Sequence, residues 1–142
     1  MFRQVLSLLV VAGVGLGACR SSEPRLCPEG MSLDHKQSKP GQFVWCGDQA
    51  NKTAQYIEYY PGGKEKRRVC NYLDGRPEGP FFAWFPGGKE WITGQYAAGS
   101  PDGNWSQRGE AGQRVAEGEY RRGRFVAGAP VAGTAGCEKL RP

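Results

Sequence analysis

Few residues in this 142-residue chain are equipped for chemistry: the soft or near-neutral groups are five Cys and one His. They are Cys19, Cys27, Cys46, Cys70, Cys137 and His35. No two cysteines form Cys-X-X-Cys, and His35 has no partner at ligand spacing, so neither a metal nor a cofactor is expected. No Ser–His–Asp set exists for nucleophilic catalysis. Glu65, Glu90 and Glu110 fall at turn positions, where a solvated carboxylate is ordinary, and an oxidised structural Cys is no nucleophile. The expectation is a protein that binds rather than catalyses. Two side-chain classes remain for that work. Tyr59, Phe82, Trp84 and Trp91 are candidate surface aromatics. Lys66, Arg67, Arg68, Arg121 and Arg122 are candidate basic contacts. The pairs Tyr59-Tyr60, Phe81-Phe82 and Trp84-Phe85 are informative, because neighbours on a strand point to opposite faces. Either a sheet carrying them is buried on both sides, or an aromatic strip is exposed. The basic runs serve either as solvated edges that block edge-to-edge strand pairing or as contacts for anionic head groups or an acidic partner.

Those side chains need elements to hold them, and composition narrows the choice. The 22 Gly and 10 Pro occupy 32 of 142 positions, about twice average usage. Both residues are poor in helix interiors, so turn-rich antiparallel β structure is the natural alternative. Hydrophobic content of 39% is thin for a deep core, while 11% aromatics argue against simple disorder.

The chain opens with Met1-Phe2-Arg3-Gln4 and an almost unbroken apolar run from Val5 to Ala18. Arg3 supplies the positive start, and the run is short of the ~20 residues a membrane-spanning helix needs. It ends in Leu16-Gly17-Ala18-Cys19, which resembles the bacterial lipobox. The resemblance implies a lipoprotein signal peptide over 1–18, cleavage before Cys19 and acylation of that thiol. Residues 19–26 are polar and suit a flexible tether. Arg20, rather than Asp, after the lipidated Cys implies sorting to the outer membrane of a Gram-negative envelope. Losing Arg3 leaves the mature part with 18 basic and 14 acidic residues (19 − 1 and 14 over the same chain), a net +4. In an exported, oxidising compartment that balance points to phospholipid head groups, lipopolysaccharide or an acidic protein, not nucleic acid.

Self-comparison reveals a period of about 24 residues. Tyr72, Tyr96 and Tyr120 recur at that spacing, as do Gly75, Gly99 and Gly123. Tyr59-Tyr60-Pro61-Gly62-Gly63-Lys64-Glu65 aligns with Trp84-Phe85-Pro86-Gly87-Gly88-Lys89-Glu90, and more weakly with Arg108 to Arg114. Pro-Gly-Gly between aromatic runs signals a tight turn, with Gly supplying positive φ. The second Gly series supplies the next turn. A unit therefore reads strand, turn, strand, turn. One step back from Gly75 lies Asn51, a side chain tolerant of the left-handed region, so an eroded half-unit is expected to begin near Gln42.

The motif aromatic-aromatic-Pro-Gly-Gly-Lys, then Gly-X-Tyr-X-X-Gly, then Gly79-Pro80-Phe81 or Gly103-Asn104-Trp105, is similar to the bacterial MORN-variant repeat, found in the YwqK-like group often labelled antitoxins. The resemblance covers roughly 42–128. It implies an all-β, antiparallel β-hairpin repeat solenoid, a single twisted sheet of about three to three and a half 24-residue repeats. A cap segment over 27–41 and a tail over 129–142 flank it. Gln55 and Gly109 depart from the pattern in the end copies, as capping units do.

Four cysteines remain after lipidation, and three connectivities are open to two disulfides. Cys46 and Cys70 sit at equivalent positions of consecutive units, hence about 10 Å apart, beyond the ~7 Å a disulfide spans. The preferred pairing is Cys27–Cys46 with Cys70–Cys137. The second bond requires the Gly/Ala-rich segment from Ala127 to Gly136 to run back over the sheet, covering one face.

The function these readings imply is a lipid-anchored envelope repeat protein that binds a protein or anionic envelope component. An immunity protein that neutralises an exported toxin is implied by the resemblance alone. A passive envelope spacer is the third reading.

Overall fold

Tight turns at fixed intervals set this architecture. Asp74, Ala98 and Arg122 all adopt left-handed backbone conformations, with φ of 49°, 51° and 49°, and each is followed by a left-handed glycine. Two consecutive positive φ values are the signature of the type I′ hairpin turn, whose twist matches that of the strands it joins. The computed structural model describes residues 25–134 and 136–140. Cys19 and residues 1–18, read above as an expected signal peptide, lie outside them.

The described residues form an all-β chain without helix: β1 (Ser32–Leu33), β2 (Phe43–Asp48), β3 (Thr53–Tyr59), β4 (Lys66–Leu73), β5 (Arg76–Pro77), β6 (Gly79–Trp84), β7 (Glu90–Ala97), β8 (Ser100–Pro101), β9 (Gly103–Arg108), β10 (Arg114–Arg121) and β11 (Arg124–Gly128). They build one open antiparallel sheet in the order β1-β2-β3-β4-β6-β7-β9-β10-β11, with β5 paired to β4 and β8 to β7. Neighbours in sequence are neighbours in space, as hairpin connections dictate. One register shift leaves Val126 of β11 unpaired, and three others leave Arg67, Trp91 and Val115 without a cross-strand partner. These last three bulges fall 24 residues apart and re-aim the side chains beside them.

The left-handed residue of the β2–β3 turn is Lys52, with φ of 53°, and not Asn51 as the repeat spacing predicts. This connection is a four-residue loop, and the Asp48 carboxylate organises it by accepting the Ala50 and Asn51 N–H groups and the Asn51 side-chain amide. The amide of Asn51 is spent on that contact, and the positive φ passes to the next residue.

Each strand has two faces, and the core is divided between them. On one, called here the tail face, Trp45, Tyr56, Cys70, Tyr72, Phe81, Ala83, Ile92, Tyr96, Trp105, Ala116 and Tyr120 pack with Val131 and Cys137 from the C-terminal tail. On the other, Val44, Cys46, Ile57 and Val69 pack with Cys27, Met31 and Leu33 from the N-terminal segment. A one-layer sheet thus gains a second layer from each end of its own chain. Cys27 is bonded to Cys46 and Cys70 to Cys137, with Cα separations of 5.6 and 5.8 Å. The disulfides fasten the terminal segments to opposite faces.

Candidate functional site

The tail face begins with a ladder of rings. Trp45 lies 5.0 Å from Tyr56 and 5.3 Å from Tyr72, and Trp105 lies 5.4 Å from Phe81 and 5.3 Å from Tyr96, centroid to centroid. Such contacts contribute roughly 0.5–1.5 kcal/mol per pair beyond buried area. Gly94 makes the ladder possible at its centre, because a Cβ there would overlap the Trp105 indole. This is the physical reason for Gly in Gly94-Gln95-Tyr96. The corresponding position one unit earlier is Cys70, whose sulfur is bonded to Cys137 of the tail.

Above the rings the tail is held by tyrosine hydroxyls. Tyr120 Oη accepts the Val131 N–H at 2.9 Å. Tyr96 Oη donates to the Thr134 carbonyl and accepts the Cys137 N–H. Tyr72 Oη donates to the Cys137 carbonyl at 3.0 Å. The three tyrosines that recur every 24 residues all end on main-chain groups of one strap. Burial pushes the Tyr96 phenol up to about 12 and raises Tyr72 as well, because a phenolate has no solvent there.

The candidate basic residues separate. Arg68 is half-buried on the tail face, where Nη1 donates to the Gly136 carbonyl at 2.8 Å and Nε stands 2.6 Å from Glu58 Oε2. Arg67, at the bulge, stands over the Tyr60 ring and 3.7 Å from Glu58. Lys66 is exposed. All three open β4, an interior strand between β3 and β6, so the run does not guard a sheet edge as its composition predicts. Arg121 ends β10 and Arg122 follows it in the β10–β11 turn; β10 runs in the same direction as β4, so both lie at the opposite side of the sheet. Arg121 is paired with Glu119. The two clusters do not form one surface.

The candidate aromatics separate too. Trp91 turns to the tail-face core at its bulge and packs against Phe85. Tyr59 and Trp84 border the opposite core, and Phe82 stacks on Trp84 with centroids 5.9 Å apart. Phe82, 38% exposed, is the accessible remnant of that strip. The paired-aromatic problem resolves by coverage on both sides, at different places along the sheet.

An open groove of about 1070 Å³ lies beside the β2–β3 turn, lined by Asp34, His35, Asp48, Lys52 and Asp74 among others. Its carboxylates are engaged internally. Asp34 accepts the N–H groups of Lys36 and Gln37, Asp48 caps its loop, and Asp74 pairs with Lys52 at 3.3 Å. The Asn51 amide holds the Asp48 carboxyl below its ordinary value. No three His, Cys, Asp or Glu residues stand together as a metal set among the described residues.

One recurring group escaped sequence reasoning. Glu78 accepts the Ala98 N–H at 2.7 Å and Asp102 accepts the Arg122 N–H at 3.0 Å. Each carboxylate caps the strained turn of the following unit. The signal was present in Pro77-Glu78-Gly79 and Pro101-Asp102-Gly103, also 24 apart. No family model, curated protein or solved structure matches the chain.

Proposed function

We propose that this chain is a lipid-anchored repeat protein of the bacterial envelope, acting as a binding scaffold for a protein or anionic envelope component. It is a MORN-variant array of about three to three and a half units, attached through Cys19 to the outer membrane. The observation that carries the reading is the recurrence, at 24-residue intervals, of turn, bulge, capping carboxylate and tail-binding tyrosine at positions such as Ala98 and Arg122. A series of equivalent units offers a long surface built by repetition, which is how repeat proteins engage partners. Two measurements test it. Wild-type protein carries acyl mass on Cys19 and fractionates with membranes, and Cys19→Ala does neither; retention of the variant in membranes refutes the anchor. Crosslinking mass spectrometry in native envelopes recovers a specific partner, and recovery of none refutes the scaffold.

A further inference from the structure

The two ends of the sheet are finished differently. At the N-terminal edge the outward groups of β2 are occupied: Asp34 N–H donates to the Trp45 carbonyl, Trp45 N–H to Ser38 Oγ, and Lys39 N–H to the Phe43 carbonyl. β1 covers Cys46 and Gly47. At the other edge, β11 pairs with β10 alone, and all five of its residues are exposed.

The inner units show what this edge has lost. After each I′ turn the chain runs Arg76-Pro77-Glu78-Gly79 and Ser100-Pro101-Asp102-Gly103. The proline interrupts the strand, its carbonyl accepts the N–H of the next turn's glycine (Gly99 or Gly123), and the acid caps that turn. At the corresponding place the last unit reads Arg124-Phe125-Val126-Ala127. The proline that would stop pairing is Phe and the acid is Val, 45% and 48% exposed. A terminal unit facing only solvent is served by a polar outer face, and an open apolar edge strand is a template for another strand. Arg122 and Arg124 stand at its start without an ion-pair partner among the described residues, so the edge is apolar along its length and cationic at one end.

We infer that the β11 edge is a docking site for an extended acidic segment of a partner protein, added to the sheet as a further antiparallel strand. Main-chain hydrogen bonds hold such a strand, and side-chain contacts select it. Phe125 and Val126 supply apolar contact, and Arg122 and Arg124 select carboxylates. The inference rests on the scaffold reading and names the surface that reading uses.

The probe is a ten-residue peptide alternating Val or Thr with Glu, with a Lys-for-Glu peptide as control. Amide exchange and chemical shifts are read on the full disulfide-bonded chain. The acidic peptide is expected to protect and shift β11, and to bind at least tenfold tighter than the control at low salt. Phe125→Pro with Val126→Asp restores the inner-unit pattern, which this fold already accommodates twice, and is expected to abolish the response. Arg122→Glu with Arg124→Glu is expected to invert the peptide preference. Shifts elsewhere on the sheet, or none, overturn the inference. So does concentration-dependent protection of β11 without peptide, which assigns the edge to a second copy. Envelope crosslinks confined to other strands sink the edge and leave the scaffold standing. Peptide docking at β11 with no envelope partner does the reverse.

Discussion

Tyr96→Phe removes one oxygen and strands two main-chain groups, the Thr134 carbonyl and the buried Cys137 N–H. A buried backbone group left without a partner costs about 1–3 kcal/mol. The two together predict a loss of about 2–6 kcal/mol, provided the tail stays in place. The Cys70–Cys137 bond decides whether it does, since Cys137 cannot leave the sheet while bonded to β4. That bond closes a loop with a sequence separation of 67, and loop entropy makes it worth about 4 kcal/mol by itself. In a Cys70→Ser/Cys137→Ser background the tail is free to peel and meet water. The Tyr96→Phe penalty should then shrink below about 1 kcal/mol, the non-additivity expected of residues sharing one partner. Urea unfolding at neutral pH without reductant reads all four members of the cycle. Amide exchange at Cys137 reports directly whether the strap has lifted. A stapled Tyr96→Phe variant within about 0.5 kcal/mol of wild type refutes the tyrosine anchor. An undiminished penalty in the unstapled background refutes the claim that the disulfide enforces it.

Gly94→Ala should be severe, about 3 kcal/mol or more, because the new methyl meets the rigid Trp105 indole in a closed core; a melting temperature unchanged from wild type would show that the ring can move aside. Alkaline titration should weaken the fold between pH 10 and about 12. Below pH 10 Tyr96 is neutral in both states; above it the unfolded chain ionises first while burial holds the folded phenol neutral up to about 12. The unfolded state then binds fewer protons, so stability falls as pH rises, by up to about 3 kcal/mol for this group. Tyr96→Phe should flatten that slope in denaturation series at pH 9 to 12. Asp102→Ala leaves the Arg122 N–H uncapped at a turn with φ of 49° and should cost about 1 kcal/mol, with faster amide exchange confined to the β10–β11 turn.

The hairpin order and the glycine turns were readable in advance because Gly at a left-handed position is a local requirement, visible one residue at a time. Unit spacing excluded one of the three disulfide connectivities, since equivalent positions two strands apart are beyond sulfur's reach, and the observed pairing is the preferred one of the two left open. What escaped depended on contacts between units. Gly94 recurs in the sequence, but its reason is an indole eleven residues later on the neighbouring strand. Arg68 sits in a run of cations that resembles a solvated edge, yet a bulge at Arg67 turns it to the buried face beneath Gly136. The aromatic pairs announced two apolar faces without saying that different ends of the chain cover them. Asn51 shows the converse limit: a residue suited to the left-handed region yields it to Lys52 once its amide binds Asp48.

The two disulfides also determine how tension would travel through the molecule. A pull entering from the N-terminal side at Cys27 crosses to Cys46 without extending the segment between them. A pull at Cys137 crosses to Cys70. The polypeptide that carries load between the ends is therefore the stretch from Cys46 to Cys70, the end of β2, all of β3 and most of β4. Every later strand hangs inside a closed covalent ring, sheltered from extension. A chain tethered at one end and gripped at the other would stretch by one hairpin and keep the rest of its sheet intact.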